Sequence, residues 1–324
     1  MEKKMEKILL CTPKFHGYEE IIINYLRIKG FKVDFFDYTH KKYKEARKIK
    51  NPFLSLWNNV YLRKRNKNLK DRYEMEAINK DLLSLEEKYD YVIKIGLFFL
   101  NESILKILRK KGKYLILYHW DVITINYENL FLKEKIYFDK IASYSKKDAE
   151  KYNIKYLPSF YFMKDMISNK IDNEVFTIMS DFQRKEILER IANNLKQKNI
   201  KYEIILIDKK LQSSLITIQP ESLTLEEIIK KYNKSKVILE LVRERNYGCS
   251  TLRALDCIGL KKKLITNNKK IINEDYYNKN NILVIDENNI DIPIKFINSP
   301  YQELSKEITE KYYIENWLNE LLKI

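Results

Sequence analysis

The sequence predicts an α/β protein built from two doubly wound parallel sheets. Short apolar runs alternate with segments of helical periodicity along the chain, which is the pattern of β-α-β units. This alternating series starts near residue 7 and a second one starts near residue 174. With 324 residues, 45% of them hydrophobic, the chain is long enough to bury two cores. We therefore expect two α/β domains.

The first series begins with the apolar run KILLCT at residues 7–12. A helix follows over 18–29, because Ile22 and Leu26 recur at helical spacing, and Gly30 ends it. The same signals predict further strands at 31–37, 89–96, 113–121, 140–145 and 154–161, and further helices at 103–110 and 146–152.

The second series alternates in the same way, and residues near 163–173 join it to the first. Its predicted strands cover 175–180, 202–208, 236–241, 262–266 and 281–286, and its predicted helices cover 183–198, 225–232, 251–259 and 301–324.

Charge and cysteine usage limit the function classes. Lys and Arg exceed Asp and Glu by 16, and residues 41–72, with 12 basic and 2 acidic side chains, hold +10 of that excess. A local block favours one surface for an anionic partner over a chain-wide nucleic-acid interface. Three cysteines without CxxC spacing predict neither a disulfide framework nor a zinc site, so we expect a cytoplasmic protein.

Polar residues that directly follow strands are the first candidates for chemistry, because doubly wound sheets bind ligands at the carboxyl ends of their strands. His16 beside Gly17 is a candidate general base, or else an ordinary loop histidine. Asp121, after two aromatic residues, is a candidate base for an acceptor hydroxyl, or else a turn aspartate.

The most specific cluster is LELVRERNYGCSTLRALDCIGLKKKLIT, residues 239–266. Ser250 or Thr251 caps a predicted helix whose N-terminus would bind a diphosphate, and a carboxylate one turn further would reach ribose hydroxyls. The alternative is a capped helix with surface arginines. GxGxxG and Walker sequences are absent, which disfavours nicotinamide enzymes and P-loop ATPases.

These residues resemble the donor segment of bacterial GT-B glycosyltransferases. STLRALDCIGLKKKLITNNKKI followed by YYNKNNILVID is similar to the group 1 and CgeB-type enzymes of capsule and lipopolysaccharide synthesis. The segments FHGYEEIIINYLRIKGFKVDFFD, LYHWD and VFTIMSDFQRKEILERIANNLK occur in that family's order, so the resemblance covers nearly the whole chain.

The resemblance implies two Rossmann-like domains facing a central cleft. Residues 1–165 would bind the acceptor and 166–308 a nucleotide-sugar, which is the donor substrate, with a terminal helix over 309–324 crossing back to the first domain. No other cofactor and no metal are expected. Asp256 stands where the family has a ribose-binding Glu. The implied donor residues are Ser180, Arg184, Glu244, Tyr247, Gly248, Ser250, Thr251, Arg253 and Asp256. The implied catalytic residues are His16 and Asp121.

Two alternatives stay open. One is transfer of a glycerol- or ribitol-phosphate unit, which the same fold also supports. The other is a noncatalytic nucleic-acid binder that uses the basic block, although the block contains no recognised RNA or DNA module. We therefore expect a glycan or lipid-linked acceptor and no nucleic-acid partner.

The centre of the basic block is apolar. NPFLSLWNNVYL, residues 51–62, predicts a helix begun by Pro52, with Phe53, Trp57 and Tyr61 on one stripe between clusters of cations. Such a helix is typical of anionic membrane surfaces, so we expect a peripheral enzyme on the inner face of the plasma membrane. The alternative is a helix packed on the acceptor domain. The predicted acceptor and membrane residues are Trp57, Arg63, Lys64, Arg65, His119 and Trp120.

Overall fold

The computed structural model describes residues 5–39, 42–63, 69–96, 99–164, 170–180 and 183–323. The chain divides into two compact units. The first unit comprises residues 1–143, 151–155 and 321–324, and the second comprises 144–150 and 156–320. None of the helices that the described residues form is long and apolar enough to cross a membrane.

The first sheet has six strands in the order β2-β1-β3-β4-β5-β6. Strands β1 to β5 pair in parallel. The strands are β1 (Lys7–Cys11), β2 (Lys32–Phe36), β3 (Tyr89–Ile95), β4 (Gly112–His119), β5 (Lys140–Ser143) and β6 (Lys155–Tyr156). The helices are α1 (Tyr18–Ile28), α2 (Pro52–Trp57), α3 (Leu69–Ser84), α4 (Glu102–Lys111), α5 (Ile125–Lys135) and α6 (Lys146–Tyr152).

The second sheet has the order β12-β11-β10-β7-β8-β9, and its strands all pair in parallel. Its strands are β7 (Asn173–Ser180), β8 (Tyr202–Ile207), β9 (Thr217–Gln219), β10 (Ser235–Glu240), β11 (Lys263–Thr266) and β12 (Ile282–Val284). The helices are α7 (Lys185–Gln197), α8 (Leu225–Asn233), α9 (Leu252–Gly259), α10 (Ile294–Asn298), α11 (Lys306–Lys311) and α12 (Ile314–Lys323).

The central strands are buried on both faces. Ile8, Leu9 and Leu10 of β1 are fully buried, as are Val237, Ile238 and Leu239 of β10. Parallel strands covered by helices on both sides require such continuous apolar runs, which is why the runs were recognisable in the sequence. The predicted α/β fold class with two doubly wound sheets is confirmed.

Several elements differ from the sequence prediction. The predicted strand at 154–161 shortens to β6, because Pro158 has no N–H to continue a ladder. The predicted helix at 301–324 divides into α11 and α12. Helices α3, α5 and α10 and strand β9 were not predicted.

Candidate functional site

The second sheet has its topological switch point between β7 and β10. Numbered within the unit, its strand order is 3-2-1-4-5-6, so the chain leaves these two adjacent strands in opposite directions. Open α/β sheets bind ligands in the crevice that forms there, beyond the carboxyl ends of the strands. Ser180 ends β7 and Glu240 ends β10, so both lie at this crevice.

Glu240 is held from two sides at the end of β10. The hydroxyl of Thr251 donates to its Oε1 at 2.5 Å and that of Thr266 donates to Oε2 at 3.2 Å. Burial raises the pKa of the Glu240 carboxyl above its usual value, against the opposing effects of the Arg253 charge and the two hydroxyls. Glu240 is only 3% exposed, so its side chain is enclosed by other protein groups and has little contact with solvent.

Thr251 links this carboxyl to the start of α9. Its Oγ1 accepts from the backbone N–H of Ala254 at 3.2 Å, so Thr251 is the N-cap of the two candidates, Ser250 and Thr251, that the sequence offered. The remaining N–H groups of the first turn lie at the positive end of the helix dipole. The N-terminal end of α9, the end of a helix that favours negative charge, therefore lies beside the switch point.

Two asparagines that follow β11 hold the loop before α9. Asn267 accepts from the Val242 N–H at 2.8 Å and donates to the Val242 carbonyl at 2.9 Å. Asn268 Oδ1 accepts from the Gly248 N–H at 3.1 Å, where the chain turns with a φ of 83°. Neither asparagine was predicted as a site residue, although the pair directly follows the apolar run KKLIT.

Two predicted donor residues are enclosed in the protein. Ser250 is fully buried, where its Oγ donates to Glu274 Oε2 and accepts from the Tyr276 hydroxyl, both at 3.3 Å. Lys146 donates to the other Glu274 oxygen at 2.8 Å. Asp256 is 3% exposed, in the stretch of α9 that is buried from residue 254 to 259.

The predicted arginines lie close to the switch point. Arg253 donates through Nε to the Tyr232 hydroxyl at 2.9 Å and through Nη2 to the Ile178 carbonyl at 2.7 Å. These bonds use two of the five donors of its guanidinium group. Arg184, the N-cap residue of α7, donates to the Ser180 carbonyl at 3.2 Å. Both side chains are half-buried.

The last two predicted donor residues lie on the loop after β10. Glu244 is exposed in a short 3-10 helix, Glu244–Asn246. Tyr247 is half-buried, and its hydroxyl lies 3.4 Å from Asn267 Nδ2, which donates to it. Burial raises the pKa of the Tyr247 hydroxyl, and the charges of Glu287 and Glu244 add to that effect.

In the first unit, an aromatic cluster lies at the strand ends. The Phe15 ring lies 5.2 Å from the His16 ring and 5.9 Å from Trp120, and Tyr18 meets Trp120 edge to face at 6.1 Å. His16 is exposed and has a φ of 53°. The structure thus brings His16 and Trp120, which are 104 residues apart in the sequence, to one cluster.

His119 and Asp121 shape the turn after β4. His119 Nδ1 lies 2.8 Å from the Asp121 carbonyl oxygen, and Asp121 Oδ1 accepts from the Val122 N–H at 2.8 Å. Burial lowers the pKa of His119 to about 4, and the charge of Lys94 adds to that effect. His119 is 2% exposed and its ring lies against those of Phe99 and Phe131, so it is a buried, turn-forming residue, and Asp121 is half-buried.

Of the predicted acceptor and membrane residues on the basic block, Trp57 and Arg63 are exposed. Lys64 and Arg65 lie outside the described residues. Within the described ranges, no group of three His, Cys, Asp or Glu side chains is arranged to hold a metal ion.

Known proteins match this chain in structure and not in sequence. No family profile and no curated protein matches the sequence. An α-glucosyltransferase solved with UDP and a mismatched 13-mer DNA matches over 98% of this chain and 94% of its own, with 12% identity and a TM-score of 0.58. A trehalose-6-phosphate synthase studied with bisubstrate glycomimetics matches over 98% and 99%, with 10% identity and a TM-score of 0.59.

The α,α-trehalose-phosphate synthase of Burkholderia vietnamiensis matches over 98% of this chain and 96% of its own, with 10% identity and a TM-score of 0.54. The chain has the GT-B fold. Since these matches span both units, the GT-B fold predicted from the resemblance is confirmed for the chain as a whole.

Proposed function

We propose that this chain is a glycosyltransferase that moves a sugar from a nucleotide-sugar donor to a glycan or lipid-linked acceptor of a bacterial surface polysaccharide. The observation that carries the proposal is the anion-binding end of α9 at the switch point of a GT-B fold. Solved proteins of this fold include an α-glucosyltransferase with bound UDP. The surface-polysaccharide role is supported by the resemblance of the segment STLRALDCIGLKKKLITNNKKI.

The second unit would bind the donor. The diphosphate would lie at the N-terminus of α9, near the guanidinium groups of Arg184 and Arg253, whose positive charges stabilise a leaving diphosphate. Glu240 is a positioning residue in this scheme, because it holds the Thr251 hydroxyl that caps α9. Ser250 and Asp256, enclosed in the protein, would support the shape of the site without touching the donor.

The first unit would bind the acceptor. The faces of sugar rings pack on aromatic side chains, and the cluster of Phe15, Tyr18 and Trp120 provides such a surface at the strand ends. His16 is the candidate base, since it is exposed beside that cluster. Asp121 is the second candidate, although its carboxylate already accepts from the Val122 N–H.

The proposed reaction forms a bond between the acceptor oxygen and the anomeric carbon of the donor sugar. The bond between that carbon and the diphosphate oxygen breaks, and its electron pair leaves with the nucleoside diphosphate. The proton of the acceptor hydroxyl passes to the base. Charge develops on the leaving oxygen, which is why cationic side chains and a helix N-terminus suit the site.

Donor binding tests the proposal directly. We expect one of the UDP-, GDP-, dTDP- or CDP-linked sugars to raise the melting temperature of the protein, and Arg184→Ala to weaken its affinity about tenfold or more in calorimetry, as for a lost charge-assisted hydrogen bond. Arg190→Ala is the matched control, because Arg190 lies on the same helix and donates to the Asn288 carbonyl.

Three results would oppose the proposal. They are the absence of binding by any of the four donors, unchanged affinity in Arg184→Ala, and an equal loss in Arg190→Ala. Stabilisation by CDP-ribitol or CDP-glycerol alone would instead identify a polyol-phosphate transferase.

A further inference from the structure

The first unit presents an unusual helical segment whose apolar side chains point away from the protein. Residues 52–62 form α2 and a π-helical continuation, Asn58–Leu62. Phe53 is 86% exposed, Leu56 64% and Trp57 54%, and Val60 and Tyr61 are also exposed. We call these five side chains the aromatic face. Most monomeric proteins bury a continuous set of this kind unless it serves an interaction.

Polar contacts hold this segment in place. The Asn51 side chain caps α2 by accepting from the Leu54 N–H at 3.1 Å. Asn58 is fully buried, and its Oδ1 accepts from the N–H of Leu69, the first residue of α3, at 2.7 Å. The buried Asn58 side chain fixes one side of the segment against the protein. The aromatic face on the other side is therefore directed toward solvent. Trp57 and Tyr61 pack on each other with ring centroids 4.6 Å apart.

Cations flank the aromatic face in the sequence. It lies inside the block 41–72, which has 12 basic and 2 acidic residues. Part of that charge is used within the fold, since Arg47 pairs with Asp71 and Glu74. Lys50 directly precedes the segment and Arg63 directly follows it, and both are exposed and form no ion pair with any residue the structure describes.

We propose that the aromatic face inserts into the interface of an anionic lipid bilayer, with the flanking cations at the headgroups. Aromatic side chains with one apolar body suit the interfacial region, and nearby Lys and Arg are attracted to the negative surface. A second copy of the chain is the less suitable occupant. A symmetric contact would bring two +10 blocks together, and like charges across an interface oppose association.

Vesicle binding tests this docking surface. The full chain should sediment with phosphatidylcholine vesicles that contain phosphatidylglycerol and remain in solution with phosphatidylcholine alone. Phe53→Glu and Trp57→Glu should each lower the vesicle partition coefficient at least about tenfold. Each variant replaces an apolar side chain that would insert into the bilayer with a negative charge that the anionic lipids repel. Phe53→Glu should stay folded, because that side chain has few contacts in the protein.

Control variants distinguish insertion of the aromatic face into the bilayer from a general effect of added negative charge. Ile28→Glu adds the same charge at a side chain of α1 that is 77% exposed, and it should bind vesicles almost as the wild type does. Trp57→Phe should retain binding but lose most of the blue shift of tryptophan emission that vesicles cause. Binding that is unchanged in Phe53→Glu and Trp57→Glu, or equally lost in Ile28→Glu, would overturn the proposal.

Binding of a second copy of the chain to the aromatic face would give a different result. A dimer that Phe53→Glu converts to a monomer, without vesicle binding by the wild type, would assign the face to a second copy and overturn the lipid proposal. The proposal that the aromatic face binds a membrane is based on its exposure and the neighbouring charge, and it does not depend on the proposed glycosyltransferase activity. Donor binding in Phe53→Glu is therefore expected at the wild-type affinity, so failure of either proposal is recognised independently.

Discussion

A buried ion pair beneath the strand ends of the first unit gives a strong stability prediction. Lys94 of β3 and Glu134 of α5 meet with Nζ 3.0 Å from Oε2, and their side chains are 0% and 1% exposed. Glu134 Oε1 also accepts from the Leu100 N–H at 2.9 Å. The Lys94 ammonium lies 5.7 Å from the centre of the Phe99 ring. Water therefore cannot replace either partner of the pair.

Removing one charge of the pair should lower the unfolding free energy strongly, and removing both charges should lower it less. Lys94→Met keeps an apolar stem of similar length, but it leaves the buried Glu134 carboxylate with the Leu100 N–H as its one remaining donor among the described residues. Breaking a buried pair in this way costs about 3–5 kcal/mol of unfolding free energy. In the double variant Lys94→Met, Glu134→Gln, the neutral amide still accepts from Leu100, so we expect about 2 kcal/mol to be recovered.

Urea unfolding followed by far-ultraviolet circular dichroism measures these changes. Lys106→Met is the control, because Lys106 pairs with Glu102 at 2.7 Å on the exposed surface of the same unit. Its unfolding midpoint should match that of the wild type. A midpoint shift in Lys94→Met no larger than that of the control would refute the role of the buried pair, as would a double variant whose loss equals the sum of those of Lys94→Met and Glu134→Gln.

Two further predictions concern His119 and Gly259. Burial lowers the pKa of His119 to about 4, so the unfolded chain takes up a proton below pH 6.5 that the folded chain excludes. From pH 6.5 down to about 4, wild-type stability should therefore fall by about 3 kcal/mol more than that of His119→Gln, and parallel urea profiles would contradict this. A Cβ on Gly259 would lie 2.3 Å from the Met163 carbonyl oxygen and 2.4 Å from the Tyr161 ring. Gly259→Ala should thus lower the unfolding free energy by about 1–3 kcal/mol, whereas a gain would show that α9 can shift away.

The strands could be predicted from the sequence better than two of the helices. Buried parallel strands appear as continuous apolar runs, which need no knowledge of their neighbours. Helix α3 buries Glu74 beside Ile78 and Leu82, and α5 buries Glu134 beside Phe131 while Ile125 is 84% exposed. Where a paired carboxylate takes an inward position, a search for apolar periodicity finds no helix.

The candidate site was predictable in place and less so in detail. Ser180 and the N-cap candidate Thr251 were selected from the sequence, and the structure places both beside the switch point, together with Glu240. The periodicity of a helix does not show whether a polar side chain faces solvent or is enclosed by other protein groups. Asp256 was predicted to contact the donor, but it lies in a buried stretch of α9. Asn267 was missed because its role depends on Val242, which only the folded chain brings near.

Each unit buries a carboxyl group near its strand ends and uses it to hold a neighbouring segment of the chain. Glu134 accepts from the Leu100 N–H in the first unit, and Glu240 holds the Thr251 cap in the second. Such groups are too enclosed to meet a ligand, and their loss would change stability before it changed affinity. The proposed ligand contacts include Arg184 and Trp120, which are only half-buried and therefore more accessible than these carboxyl groups. Substitutions at these two positions should therefore separate binding from folding, which substitutions of the deeper carboxylates cannot do.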